Sequence, residues 1–539
     1  MNYFTTKRAL FLVPSNKCYE EFEKIDRFLE ILEISQVSKI INNIYKNDKT
    51  TTVGRKGYNP FNMFATIIYC FSKFKSSVRE LESLCIFDLR VNYIMEQKAP
   101  SYKTFSEFIN TYIVPYQYEI FSMITKTVIK EFNVDISDQY VDGTKLEANA
   151  NKYKFVWKPI TYHKKLDVKI KDLLIKMNIE FKSTNLIKSF QFNEFIKSYV
   201  IRENIDVNSI PIGRGNRLTK SQRNYKLAYQ YLIKLLEYEE KEETCGENRN
   251  SYYKTDKDAT AMVLKEDYYS KTSHDFHAGY NIQVMVSNGL ITMYGVFQDR
   301  DDFHTFIPMN NLYYKYYNEY PENECADSGY GMYDNYKYME EHDIGNYVKH
   351  FTWSGEADGK RPQLFYAFDD GVICLNTCIG EEISFEGIRH PRYKNSKLYQ
   401  FTGCNICNYA YICKRNLKNK SYDYRLYELI PEYELLKEEA RKNLQSPKGI
   451  ELRINRSIQA EGAFGQIKQN MQYTRIRRRG LEKVSCEIML MCLGSNIRKY
   501  FSTLNGKKLK SNYWNTPQKL KKEKFPFPKQ KETDTKSIT

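Results

Sequence analysis

The stretch from Gln139 to Tyr153, QYVDGTKLEANANKY, constrains the fold of this chain more than any other segment. It begins with residues that favour a β-strand and leads directly into Asp142, which Gly143 follows. We therefore expect a strand that delivers a carboxylate to the surface of a sheet. An aspartate at a strand end is more often a turn former than a catalytic residue, so its meaning depends on other acidic residues.

Five segments of the sequence carry a family resemblance: VDGTKLEANANKYKFVW, RNSYYKTDKDATAMVLKE, AGYNIQVM, ADSGYG and AEGAFGQIKQN. In this order they resemble the DDE-type transposases of bacterial insertion sequences, over a span from about Arg55 to about Tyr500. The resemblance implies an α/β fold with an RNase H-like catalytic core, a mixed sheet flanked by helices, plus an N-terminal all-α domain and insertions. It also implies two-metal phosphodiester chemistry.

The resemblance assigns catalysis to three acidic residues, Asp142, Asp327 and Glu461. They would hold two Mg²⁺ ions, for which Mn²⁺ can substitute, because such hard ions prefer oxygen ligands. Asp327 follows the short apolar pair Cys325-Ala326 and precedes a Gly-rich turn, as a strand-end acid does. The middle acid has competitors in the segments KTDKDAT and QDRDD, namely Asp256, Asp258, Asp299, Asp301 and Asp302.

Glu461 lies in a segment, 453–471, whose apolar spacing predicts one continuous helix. On such a helix Glu461, Gly465 and Lys468 share a face. The family signature has Glu followed seven residues later by Lys, which matches. The same signature has Arg four residues before the Glu, where this chain has Ser457 with Arg456 beside it. We expect Lys468 and a nearby basic cluster to contact DNA phosphates; the cluster consists of Arg475, Arg477, Arg478 and Arg479.

The net charge and the lengths of the apolar runs indicate which partners and which location to expect. The chain has 82 basic and 66 acidic residues, a net charge of +16, which favours a polyanion. Coding from an AT-rich genome would also give this Lys- and Tyr-rich composition. No apolar run approaches the ~20 residues that span a bilayer. We therefore expect a cytoplasmic, nucleoid-associated protein that binds double-stranded DNA (element ends and target) as a homodimer when synapsed.

Cysteines cluster between the second and third acids. Cys404 and Cys407 form a chelating Cys-x₂-Cys pair, and Cys413 follows. A fourth thiolate from Cys374 or Cys378 would complete a tetrahedral Zn²⁺ site. Reduced thiols are the alternative in a cytoplasmic protein.

The sequence predicts a helical N-terminal region with capping boxes at Ser77–Glu80 and Thr104–Glu107, either a helix-turn-helix-like DNA reader or a plain helical subdomain. Two helices around a Pro/Gly break at 210–217 predict a charged insertion. Alternation then predicts three strands, 259–264, 280–286 and 290–297, with Ser287-Asn-Gly289 as the hairpin turn joining the last two. A helix at 303–317, a short strand ending at Asp327 and a helix at 332–341 should follow, in the order expected of an RNase H-like core. The expected domains are 1–135, helical and end-binding; 136–162, first part of the core; 163–250, helical insertion; 251–355, core continued; 356–445, Cys-containing insertion; 446–505, C-terminal core helices; and 506–539, a basic disordered tail.

We therefore expect a transposase that cleaves DNA at the ends of its element and joins the 3′ ends to target DNA. A metal-dependent nuclease without strand transfer remains an alternative. A catalytically inactive DNA-binding protein derived from a transposase is a second alternative, from a different class.

Overall fold

The computed structural model describes residues 16–48, 57–74, 77–182, 185–210, 218–247, 249–264, 276–360, 363–368, 371–374, 378–413 and 421–507. Nearly all of the predicted tail and of the Pro/Gly break lies outside these ranges. Within them, no helix is long and apolar enough to cross a membrane.

The N-terminal region is helical, as predicted. At the start of its fourth helix the backbone N–H of Ser77 donates to the Glu80 carboxylate at 2.6 Å, which confirms that capping box. The box predicted at Thr104 is wrong, because Ser101 caps the sixth helix by accepting from the Thr104 N–H. The helices are α1 (Asn16–Ile34), α2 (Val37–Asp48), α3 (Pro60–Lys73), α4 (Val78–Phe87), α5 (Leu89–Ile94), α6 (Tyr102–Phe108) and α7 (Gln117–Glu131).

A three-helix insertion follows the first two strands, β1 (Asp138–Glu147) and β2 (Phe155–Trp157). Two of its helices were expected, and the middle one carries its own stripe of Phe192, Ile196 and Tyr199. The three pack around a separate apolar cluster. They are α8 (Ile160–Lys176), α9 (Ser189–Arg202) and α10 (Lys220–Cys245).

The chain then returns to the core in the predicted order of strands, helix, strand and helix. The predicted Ser287-Asn-Gly289 hairpin turn is present, with φ of 46° at Asn288 and 81° at Gly289, as the tight hairpin requires. The elements are β3 (Ser251–Tyr253), β4 (Thr260–Val263), β5 (Phe276–Ser287), β6 (Leu290–Phe297), α11 (Phe303–Tyr317), β7 (Asn323–Cys325), α12 (Tyr333–Glu341) and β8 (Gly345–Asn346).

Strands β4 to β8 join β1 in a six-stranded mixed sheet, in the order β4-β5-β1-β7-β8 with β6 pairing β5, whereas β3 pairs β2. Strand β1 runs antiparallel to β5 and parallel to β7. The mixed sheet flanked by helices confirms the predicted α/β fold class and is consistent with an RNase H-like core.

The cysteine-containing region forms two small antiparallel sheets, one of two strands and one of three. They share an apolar cluster of Val372, Tyr399 and Phe401. The elements are α13 (Trp353–Ala357), β9 (Phe365–Phe368), β10 (Gly371–Cys374), β11 (Glu381–Ile383), β12 (Lys397–Thr402), α14 (Ala410–Cys413) and β13 (Tyr424–Leu429).

Three long helices complete the described chain: α15 (Pro431–Gln445), α16 (Pro447–Gly465) and α17 (Leu481–Leu504). Helix α17 is buried along most of its length and packs against both α3 and β6. Gly494 permits the close approach to α3, since a Cβ there would lie 2.6 Å from the Phe71 carbonyl oxygen. One hydrophobic core therefore joins the N-terminal helices to the sheet.

Candidate active site

Two of the predicted acids lie side by side at the centre of the sheet. The parallel register of β1 and β7 ends with Tyr140 opposite Cys325. Two residues further along each chain, this register brings Asp142 level with Asp327. Asp327 then turns the chain, because its Oδ1 accepts the Gly329 N–H at 2.8 Å.

The Asp142 carboxyl group lies in an electrostatically unfavourable position. Burial, together with the neighbouring charges of Asp327 and Asp302, raises its pKa to about 6. The Arg456 guanidinium, 3.6 Å from Asp142 Oδ1, acts in the opposite direction. Two cations lie nearby, Arg456 beside Asp142 and Lys349 near Asp327. The three carboxyl groups nevertheless raise one another's cost of ionisation, and a bound metal ion would relieve that repulsion.

Asp302, one of the competitors for the middle acid, is held beside this pair. Its Oδ1 accepts hydrogen bonds from Asn281 and Gln283, both at 2.9 Å. Tyr330 in turn donates to Gln283. Any side chain at Gly143 would collide with this network, since a Cβ there would lie 2.9 Å from Asp302 Oδ1. The sequence signal was two polar residues at alternate positions of an otherwise apolar strand.

Asp256 and Asp258 have structural contacts elsewhere. Asp256 accepts hydrogen bonds from Tyr280 and from the Gly480 N–H. Asp258 accepts the Leu481 N–H at 2.8 Å. Both carboxylates therefore satisfy the first N–H groups of α17 and complement its dipole.

Glu461 is not brought together with the aspartates. Its carboxylate is exposed and accepts the Ser457 hydroxyl at 3.0 Å, one turn earlier on α16. The predicted continuous helix changes to a π-helix at Gln466–Asn470, where the Met471 N–H donates to the Gln466 carbonyl, five residues earlier. The predicted shared face of Glu461 and Lys468 assumes regular α-helical winding, from which this wide turn departs.

Lys468 reaches the active-site strand, where its ammonium donates to the Thr144 hydroxyl, two residues beyond Asp142. The arginine cluster lies at the end of the same strand. Arg475 Nε is 3.4 Å from the Glu147 carboxylate, and Arg479 Nε donates to the Asn149 carbonyl at 2.8 Å.

The other two arginines of the cluster differ in exposure. Arg478 donates to Asn110 at 2.8 Å and is half-buried, whereas Arg477, like Arg479, is exposed. Lys468 and Arg475 therefore contact β1 itself, and Arg479 contacts the segment that follows it. The role of the five basic residues in binding DNA stays a prediction.

The cysteine side chains converge in the region between the second and third acids. Cys374, Cys378, Cys404, Cys407 and Cys413 all line one cavity of about 30 Å³. The Cys407 sulfur accepts the Tyr409 N–H at 3.4 Å. Burial raises the pKa of Cys378 to about 11, and the adjacent Cys374 adds to this shift.

Neither predicted metal centre exists as a formed ligand group. In the part of the chain that the structure describes, no three or more His, Cys, Asp and Glu side chains stand close enough to hold a metal ion. Asp142 and Asp327 nevertheless fit Mg²⁺, because they offer hard oxygen ligands that repel each other when no cation lies between them. The positions of the thiol groups do not support the predicted Zn²⁺ site.

Comparisons with known proteins matched two stretches of the chain, neither of which contains Asp142 or Asp327. Residues 380–501, which include Glu461, match the family described as "Transposase DDE domain". Residues 12–111 match "Transposase domain (DUF772)". Searches of curated proteins and of solved structures gave no significant match. The two family matches support a DDE-type transposase, a class that acts on DNA and generally uses divalent metal ions such as Mg²⁺.

Proposed function

We propose that this chain is the transposase of a bacterial insertion sequence, which cleaves DNA at the ends of the element and joins the 3′ ends to target DNA. One observation supports this above all: Asp142 on β1 and Asp327, two residues beyond the end of the adjacent parallel strand β7, lie close enough for their charges to interact. That is where an RNase H-like core would present two metal-binding carboxylates.

Asp142, Asp327 and Glu461 would hold Mg²⁺, and Asn281 and Gln283 hold Asp302 beside the two aspartates. Bound Mg²⁺ would supply Lewis-acid stabilisation of the scissile phosphate and of its attacking oxygen. Arg456 limits the repulsion that Asp327 and Asp302 exert on Asp142. Since Glu461 bonds to Ser457, its carboxylate must exchange that partner for the metal.

DNA would lie across the edge formed by β1 and the basic side chains. Lys468, Arg477 and Arg479 would contact phosphates, and such contacts position DNA without reading its sequence. End recognition falls to the N-terminal region, matched by the second transposase domain. Two copies of the chain would hold the two ends during joining.

The test uses a supercoiled plasmid carrying the DNA that flanks the coding sequence on both sides. With Mg²⁺, the protein should cut at both ends and join them to a second plasmid, while Asp142→Asn should do neither. Cutting without joining would indicate the nuclease alternative. Binding without cutting would indicate the inactive DNA-binding alternative.

For the cysteine cavity we propose Zn²⁺ held by Cys404, Cys407, Cys413 and either Cys374 or Cys378. The support is the convergence of these thiols on one cavity. Metal analysis of protein purified without chelator should give about one Zn²⁺ per chain. A stoichiometry near zero would leave reduced thiols.

A further inference from the structure

A second open cavity, distinct from the carboxylate site, lies between β2 and the helical insertion. It has a volume of about 380 Å³, within the ~300–1,000 Å³ range of small-molecule pockets. Its walls come from β2, the start of α8, the C-terminal part of α10 and the residue directly after β3. The lining residues that matter here are Phe155, Trp157, Tyr162, Lys158, Lys241 and Lys254.

Large aromatic side chains are presented to solvent around this cavity. Trp157 is 58% exposed and Tyr162 is 66% exposed. Phe155 supports Trp157 edge-on, with ring centroids 5.1 Å apart, so the face of the indole is held in a fixed orientation. Leaving aromatic surfaces of this size in water is unfavourable, which suggests that a flat apolar group covers them.

The charges of the lining residues indicate which kind of group binds in this cavity. Three lysines line the cavity, and none of its lining residues is acidic. Lys158 donates to the Gly246 carbonyl at 2.6 Å, and Lys241 is paired with Glu237 outside the lining, so both ammonium groups are held in place. Exposed aromatic faces among lysines are the combination that binds bases and phosphates of single-stranded nucleic acid.

The cavity is also continuous with the active-site strand. The segment that leaves β1 contacts the arginine cluster at Asn149, where the Asn149 amide donates to the Arg477 carbonyl at 2.7 Å. It is then anchored at Asn151, whose N–H donates to Thr255 at 2.8 Å, and it enters β2 four residues later. DNA that follows the basic edge of β1 is thereby led towards Trp157.

We propose that this cavity binds one unpaired nucleotide of the DNA substrate, with its base stacked on Trp157 and its phosphate near Lys254. The proposal rests on the proposed function, because it assumes that DNA lies along β1. It requires no metal and no cleavage, so binding alone can test it.

The test compares two hairpin duplexes, one blunt and one with a 3′ overhang of four thymidines, in buffer without divalent metal. Binding is measured by fluorescence anisotropy. The wild-type protein should bind the overhang duplex about tenfold more tightly. Trp157→Ala should lose this preference and keep its affinity for the blunt duplex, while Trp157→Phe should keep most of the preference. Phe190→Ala, which removes a 68% exposed aromatic ring from α9, is the matched control and should behave as wild type.

Intrinsic fluorescence gives a second readout. In a Trp514→Phe background, Trp157 is the exposed reporter and Trp353 is buried. Oligothymidine should quench this fluorescence, and the additional change Trp157→Phe should abolish the quenching. Equal binding of both duplexes by wild type, or an unchanged preference in Trp157→Ala, would overturn the proposal. Failure to bind either duplex would count against the proposed function itself.

Discussion

The central sheet and helix α16 position their acidic residues by different rules. In the sheet, backbone hydrogen bonds between β1 and β7 set the register, and the turn that Asp327 caps directly after β7 keeps its carboxyl group near Asp142. On α16, the direction of Glu461 depends on helix rotation and on the rotamer of one side chain. The backbone therefore holds two of the three acids, Asp142 and Asp327, in place before metal binds. The third, Glu461, must first exchange its hydrogen bond with Ser457 for a metal ion.

The largest expected effect tests the preorganised pair. Asp142→Asn and Asp327→Asn each remove a charged oxygen ligand, and each should reduce Mg²⁺-dependent cleavage at least about a thousandfold, or roughly 4 kcal/mol. The double variant should be no worse than either single one, because the residues act as one site. The measurement is the nicking rate at saturating DNA, with DNA binding unchanged. Normal cleavage by Asp327→Asn would remove it from the site and make Asp302 the better candidate.

The next prediction sharpens the difference between sheet and helix. Glu461→Gln should impair cleavage about as strongly as the aspartate variants if the carboxylate turns to the metal. Ser457→Ala removes only its resting partner, so it should leave the rate within about twofold and lower the Mg²⁺ concentration needed for half-maximal rate. A Glu461→Gln enzyme with normal cleavage would show that helix α16 contributes no ligand.

A smaller effect concerns pH. The pKa of Asp142 is raised to about 6, so below that pH the carboxyl group is protonated and cannot bind a cation. Cleavage should therefore fall as the pH drops through 6. Arg456→Gln removes the charge that holds this pKa down, and it should move the acidic limb of the profile upward by about half a unit or more.

Arg453→Gln is the control for this pH experiment, because Arg453 lies one turn earlier on α16 over the Trp353 ring. Its acidic limb should match that of wild type. If the acidic limb moved equally in both variants, the cause would be the loss of a positive charge anywhere on α16. The contact between Arg456 and Asp142 would then not be responsible.

The smallest effect concerns stability of the sheet. Glu324 lies on β7 opposite Gln139 of β1, three residues before Asp327. Burial raises the pKa of its carboxyl group to about 8. Because this pKa exceeds the unfolded value, Glu324 should destabilise the fold progressively as pH rises from about 4.5 to 8. Glu324→Gln should raise the melting temperature at pH 8 by a few degrees, about 1–2 kcal/mol, and leave it unchanged at pH 4. Thermal unfolding at both pH values measures this, and an equal effect at both would contradict the titration.

The sequence was informative where local pattern decides structure. The β5–β6 hairpin and α11 follow from alternation, an Asn-Gly turn and helical spacing, and they lie where predicted. The strand-end position of Asp327 was predicted from the same kind of signal. Its role as a metal ligand stays a prediction.

Other features depend on contacts between distant parts of the chain. Asp302 reaches the site through Asn281 and Gln283, about twenty residues earlier, and only the folded sheet reveals this. The π-turn after Gly465 was not predicted because the apolar residues Phe464, Ile467 and Met471 fit a regular helix equally well. All three are buried as predicted, although the backbone between them has a different winding.

Helix α17 determines when the protein can finish folding during synthesis. The groove of α3 that receives Gly494 is translated about 420 residues before its occupant, an interval of about 20–85 s at bacterial elongation rates. During this time the apolar surface of α3 stays without its final partner on the nascent polypeptide. Ribosomes that stall before α17 would therefore release chains with an open core, which proteases and chaperones recognise.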